Sequence, residues 1–90
     1  GLDEWVRAGS EGEKRSEAKD RILACKRDPS AWTLNLSCLR LTSLPPQVGN
    51  LTKLIRLHLQ DNQLKELPEE IGKLIKLTAL FFKNNHLFVS

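Results

Sequence analysis

The feature that most constrains this chain is a self-match at an offset of 23 residues. Sliding the sequence by that distance lays Leu51, Leu54, Leu57 and Leu59 on Leu74, Leu77, Leu80 and Phe82, Asn62 on Asn85, and Leu64 on Leu87. Sliding it the other way lays Leu57 and Leu59 on Leu34 and Leu36, and Leu64 and Leu67 on Leu41 and Leu44. Pro68, Ile71 and Gly72 then fall on Pro45, Val48 and Gly49. A unit this short cannot bury its own leucines, so the repeat predicts units that stack and share one core. Within a unit, "RLHLQ" alternates apolar and polar residues as a half-exposed strand does, with Leu57 and Leu59 pointing inward. Stacking places each strand beside the last in a parallel sheet, and Leu54, Leu64, Leu67, Ile71 and Leu74 close the core from the other sides. Asn62 sits where the chain bends away from the strand. Its amide both donates and accepts, so Asn62 and Asn85 are expected to begin a ladder that satisfies buried backbone groups. Pro68 opens "PEEIGKL", a predicted turn and helix with proline at the first helical position and Glu69 and Glu70 at the positive end.

The pattern L-x-x-L-x-L-x-x-N-x-L-x-x-L-P-x-x-I-G, carried by residues 31–90, resembles the leucine-rich repeat family. It is most similar to the intracellular type of Ras-group scaffold proteins and of the repeats beside bacterial Roco GTPase domains. The resemblance implies an α/β fold, a short leucine-rich repeat solenoid whose parallel strands line the concave face of a right-handed arc. It also implies binding of a protein or peptide through the exposed residues of that face, because the leucines are committed to the core.

The repeat divides the chain. Residues 31–50 form a first, atypical coil, since Leu39 stands where Asn62 and Asn85 stand later and the end of a stack has least need of a ladder amide. Residues 51–73 make a full coil, and 74–90 an incomplete one that stops before its convex segment. Leu77, Leu80, Phe82 and Leu87 are therefore expected to have one side open, next to an unpaired strand edge. A homotypic partner, a ligand or a continuation of the chain is expected to cover it. Residues 1–30 are read as an N-terminal helical cap. In "SEGEKRSEAKDRILACKRD", Ser10 and Glu13 match a capping box and Ser16 offers a second start. Ala18, Ile22 and Cys25, with Leu23 beside them, share one face, and Asp28-Pro29 ends the helix. "LDEWVRAG" is expected to add a helical turn that docks through Trp5 and Val6.

Charge and composition exclude several classes. The net charge is +3, and residues 1–28 hold seven basic and seven acidic side chains, so the excess is spread over the remaining 62 residues. That is too weak and dispersed for a nucleic-acid surface. No apolar run approaches the roughly 18 residues of a membrane span, and the polar N-terminus does not have the form of a signal peptide. Cys25 and Cys38 lack metal-ligand spacing, and as free thiols they point to a reducing, cytoplasmic setting, although one bridge between them stays open. His58 and His86 have no acidic or thiol partner, Glu69 and Glu70 belong to a solvated convex segment, and "GNLTK" lacks the first glycine of a phosphate loop. The motifs Asn35-Leu36-Ser37 and Asn50-Leu51-Thr52 match glycosylation sequons but arise from the repeat itself. No cofactor, metal or catalytic residue is expected.

The register locates the candidate contact residues in columns: Trp32, Ile55, Thr78; Thr33, Arg56, Ala79; Asn35, His58, Phe81; Ser37, Gln60, Lys83; and Cys38, Asp61, Asn84. From these, Trp32, Thr33, Asn35, Ile55, Arg56, His58, Gln60, Thr78, Phe81 and Lys83 are the expected partner-binding set, with Phe81 as an aromatic anchor. For Trp32 the alternative is packing against the helical cap, and for Phe81 shielding of the sheet. Three functional readings follow: a protein-interaction module, the regulatory or sensor part of a larger signalling enzyme such as a GTPase, kinase or ubiquitin ligase, or self-assembly through the uncapped end.

Overall fold

The computed structural model describes residues 1–87; positions 88–90 lie outside them. Strands β1 (Thr33–Asn35), β2 (Arg56–His58) and β3 (Ala79–Phe81) occupy the same place in successive repeats. They form one parallel sheet in the order β1-β2-β3. Thr33 pairs with Arg56 and Arg56 with Ala79, Leu34 with Leu57 and Leu57 with Leu80, and Asn35 with His58 and His58 with Phe81. The sequence offset is therefore the sheet register. Leu34, Leu36, Leu54, Leu57, Leu59 and Leu64 are all buried in one core with Val48, Leu51 and Leu74.

Parallel neighbours need a crossover, and here it contains a single 3₁₀ turn: Pro46–Asn50 in the first repeat and Glu69–Lys73 in the second. Proline does not take the first helical position in both. Pro45 (φ −72°, ψ 143°) and Pro68 (φ −66°, ψ 150°) are the extended residues before the turn, followed by Pro46 and Glu69. A φ near −65° suits an extended residue as well as a helical one, so proline chemistry alone does not separate the two positions. The two turns pack closely. A Cβ built on Gly49 would lie 2.5 Å from the Glu70 carbonyl oxygen, whereas one on Gly72 would meet nothing within 4 Å. Gly49→Ala is expected to cost about 2 kcal/mol through backbone overpacking, and Gly72→Ala to be neutral or slightly stabilising. Urea unfolding of the two variants checks this; equal effects would contradict the packing.

Upstream, α1 (Leu2–Arg7) and α2 (Arg15–Arg27) lie against the first repeat. Ala18, Ile22 and Cys25 join the repeat core, as the helical spacing predicts, while Leu23 is only half-buried. Two expectations need correction. Helix α2 begins at Arg15 rather than at Ser10 or Ser16, and no side chain caps it. Gly12 adopts a left-handed φ of 92°, which breaks the backbone between the serine and the helix. Half of the capping box survives there, since Ser10 N–H donates to the Glu13 carboxylate at 2.6 Å. Helix α1 docks through Leu2 and Trp5, three residues apart on one face, and Val6 is not part of the core.

At the other end, burial fades. Leu67, Ile71, Leu77, Leu80 and Leu87 are only partly buried. Phe82 is 50% exposed, although its counterpart Leu59 is fully buried. Leu59 N–H donates to Phe81 O at 2.7 Å and Asp61 N–H to Lys83 O at 2.9 Å. The equivalent donors of the next repeat, Phe82 N–H and Asn84 N–H, have no partner among the described residues.

Candidate protein-binding face

The strand face is positioned by an asparagine ladder behind it. Asn62 Oδ1 accepts from Leu39 N–H (3.1 Å) and Leu41 N–H (3.0 Å), and its Nδ2 donates to Leu36 O (2.8 Å) and Leu59 O (2.9 Å). Asn85 repeats the pattern: Oδ1 accepts from Leu64 N–H (3.0 Å), and Nδ2 donates to Leu59 O (2.8 Å) and Phe82 O (3.0 Å). Between strand and ladder the chain turns sharply, with Cys38, Asp61 and Asn84 all at φ near +60°. Asp61 ties this column together. Its carboxylate accepts from Asn84 Nδ2 at 2.7 Å and from the Cys38 thiol at 3.8 Å.

In front of the ladder, the expected contact residues emerge in columns. Thr33, Arg56 and Thr78 are exposed, and Ile55, His58 and Gln60 are half-buried. Phe81 is 43% exposed and stacks on His58, with ring centroids 4.5 Å apart and planes 11° from parallel. The two rings are direct cross-strand partners, so the stack follows from the register. Trp32 is 56% exposed, so the helices do not cover it. With Thr33, Ile55 and Arg56 it lines a shallow recess of about 200 Å³. Asn35 turns its side chain toward its own loop, where Oδ1 accepts from Ser37 N–H (2.9 Å) and the Ser37 hydroxyl (2.6 Å). Lys83 is exposed at the far edge, and Gln60 Oε1 is shielded from solvent without a partner among the described residues. No cluster of His, Cys, Asp or Glu able to hold a metal occurs among the described residues.

Sequence reasoning missed a polar cluster on the opposite flank. Arg15, only 7% exposed, donates from Nε to Glu13 (3.0 Å), from Nη1 to Trp5 O (2.7 Å) and from Nη2 to the Thr42 and Ser43 hydroxyls (3.1 and 3.3 Å). Its guanidinium lies 4.8 Å from the Trp5 ring, and Trp5 Nε1–H donates to Ser43 Oγ at 3.1 Å. Burial alone would raise the Glu13 pKa. Hydrogen bonds from Ser10 N–H, Thr42 N–H, Arg15 and the Thr42 hydroxyl outweigh it and hold the carboxyl at about 2. Lys53 adds a second tie: its ammonium donates to Cys25 O at 2.7 Å and to Asp28 O, satisfying carbonyls at the negative end of α2.

Short parallel strands joined by 3₁₀ crossovers, with ladder asparagines after the second and third, define an α/β repeat fold. A profile of the leucine rich repeat family matches residues 29–87, and the chain belongs to that family. Among solved structures, the leucine-rich repeat domain of a Shigella effector is similar, with a TM-score of 0.82 and 32% sequence identity. The match covers 99% of this chain and 39% of that one. No curated protein matches the chain. Leucine-rich repeat domains generally mediate protein–protein interaction.

Proposed function

We propose that this chain is a non-catalytic protein-interaction module that holds a protein or peptide on its strand face. The observation that carries this reading is the exposed His58–Phe81 stack beside Arg56 and the Trp32 recess. An aromatic anchor flanked by a cation is a typical contact centre. In this reading the sheet is the concave side of a short right-handed solenoid arc of the Ras-group or Roco-like type. Residues 1–30 act as its N-terminal cap, 31–50 as the atypical first coil, 51–73 as the full coil and 74–90 as the incomplete one. The shared core of α2 with the first repeat and the Arg15 cluster support the cap. A cytoplasmic, signalling role agrees with Cys25 and Cys38 being free thiols. Among the described residues no helix is long and apolar enough to cross a membrane. The net charge of +3 gives no support to a nucleic-acid partner.

Arg56→Glu combined with Phe81→Ala is expected to abolish partner capture in pull-downs with the intact chain, with the unfolding midpoint moving by only a few degrees, about 3 °C. Retained capture would place the binding surface elsewhere. A second reading rests on the half-exposed Phe82 and on the Phe82 and Asn84 N–H groups, which have no partner among the described residues: self-assembly through the third repeat. Light scattering across a concentration series tests it, and a constant monomer mass would remove it. A third reading is the regulatory or sensor part of a larger signalling enzyme.

A further inference from the structure

The strand face carries positive charge that its own acid does not balance. Of the residues in its five columns, Arg56 and Lys83 are basic and Asp61 is the one acid. Asp61 is already engaged, since its carboxylate accepts from Asn84 Nδ2 at 2.7 Å and from the Cys38 thiol at 3.8 Å. The ion pairs among the described residues join Gly1 to Glu4, Asp3 to Lys19, Glu13 to Arg15 and Glu17 to Arg21, all in the N-terminal segment. Arg56 and Lys83 are both exposed, and among the described residues neither side chain makes an ion pair or a hydrogen bond.

The two cations frame the aromatic pair. Arg56 pairs with Ala79, and His58 with Phe81. The ladder runs on past β3, since Leu59 N–H donates to Phe81 O at 2.7 Å and Asp61 N–H to Lys83 O at 2.9 Å. Lys83 therefore stands four strand positions beyond the level of Arg56, about 13 Å along the sheet, with the His58–Phe81 stack midway. In an extended peptide, side chains i, i+2 and i+4 project from one side and span the same distance, about 13 Å. The face thus presents cation, aromatic pair and cation at the spacing at which one side of a strand presents three side chains. Beside Arg56, Trp32 and Ile55 wall the recess of about 200 Å³ and give the first of those side chains a partly apolar seat.

We propose that the strand face selects an extended acidic peptide of the form acid-x-apolar-x-acid. Its carboxylates lie beside Arg56 and Lys83, and its central apolar side chain rests on the exposed Phe81 of the stack. That pattern is symmetric, so it fits the face in either chain direction. The selection rests on the strand face being the binding surface and adds the chemistry of what it holds. Charge supplies the discrimination, because a basic segment in the same place meets Arg56 and Lys83 with like charge. The aromatic pair supplies contact area.

The test titrates the intact chain with acetyl-Glu-Ser-Phe-Ser-Glu-amide up to about 1 mM, at an ionic strength of about 0.01 M, and follows backbone amide shifts by NMR. The amides of Arg56, His58, Phe81 and Lys83 are expected to move together, and salt at about 0.5 M to weaken binding several-fold. The composition-matched acetyl-Glu-Glu-Phe-Ser-Ser-amide, which loses one charge pair, is expected to bind about threefold more weakly. Acetyl-Lys-Ser-Phe-Ser-Lys-amide is expected to bind at least about tenfold more weakly, and so is the acidic peptide to the double variant Arg56→Gln, Lys83→Gln, which loses both pairs. Both positions are exposed, so urea unfolding of the double variant is expected to match the parent. Equal binding of the basic peptide, or undiminished binding by the double variant, would overturn the charge selection and leave the strand face as the contact surface. No shift at the four amides would overturn the proposal, and pull-down with Arg56→Glu, Phe81→Ala then decides separately whether the strand face binds a partner.

Discussion

Replacing Asn62 with alanine is expected to remove about a third or more of the chain's folding stability. The side chain satisfies Leu39 N–H, Leu41 N–H, Leu36 O and Leu59 O, and all four bonds are buried. Each buried group left without a partner costs about 1–3 kcal/mol, so the loss is at least about 4 kcal/mol. A domain of this size has roughly 5–13 kcal/mol in total. Asn85→Ala is expected to cost about half as much, near 2 kcal/mol, because its bonds to Phe82 and Lys83 are exposed and water can replace the amide there. Asn62→Leu separates the polar argument from a packing one, since leucine occupies the matching place at Leu39. It is expected to unfold in urea as easily as Asn62→Ala. If Asn62→Leu stays within about 1 kcal/mol of the parent, the ladder is not what holds the repeats together.

The same residues show which parts of the fold were readable and why. Leu34, Leu57 and Leu80 could be aligned from the sequence because a stacked repeat converts chain offset into register, and the sheet pairs them as the offset requires. Columns across the strand face, including His58 beside Phe81, follow from the same arithmetic. Arg15 was not legible. In an otherwise charged helix nothing marks one arginine as buried, and its partners Thr42 and Ser43 lie 27 and 28 residues away, outside any local pattern. Glu13 was misplaced for a related reason. The spacing Ser10-x-x-Glu13 is that of a helix start, yet Gly12 at φ 92° interrupts the backbone, and the glutamate keeps its bond to Ser10 N–H while its other oxygen bonds to the first repeat. The glycine was the available signal.

The two flanks of the sheet differ in how their hydrogen bonds are completed. On the β1 side, Arg21 reaches Asn35 O, and Lys53 reaches back from the second repeat to Cys25 O and Asp28 O, so the helical segment is fastened from both directions. On the β3 side, Asn85 bonds back to Leu64 N–H and Leu59 O, and the outward N–H groups of Phe82 and Asn84 have no described partner. Disruption of the first repeat should therefore release the helices as well. Substitution at Phe82 should stay local.

The acid limb of stability should belong largely to Glu13. Its carboxylate accepts from Ser10 N–H (2.6 Å), Thr42 N–H (2.7 Å), Arg15 Nε (3.0 Å) and the Thr42 hydroxyl (3.0 Å), and its side chain is 3% exposed. Its pKa falls from an ordinary 4.5 to about 2 in the folded chain, despite the opposing effect of burial. A folded value below the unfolded one means that folding favours the charged form. The contribution is complete above pH 4.5 and is lost as pH falls through 2. At 1.36 kcal/mol per pH unit it amounts to about 3 kcal/mol near neutrality. Glu13→Gln keeps the shape but turns an amide NH₂ toward groups that are themselves donors, so a loss of about 3 kcal/mol is expected at pH 7. Asp3 and Asp28 also have lowered pKa values, but they are exposed and contribute equally in parent and variant. The difference between parent and Glu13→Gln in urea unfolding therefore isolates Glu13. It is expected to be constant from pH 7 to about 5 and to shrink toward pH 2, because protonation removes from the parent the charge that the variant already lacks. Curves that stay parallel throughout would mean that the Glu13 carboxylate does not fasten the helices to the first repeat as a charged group.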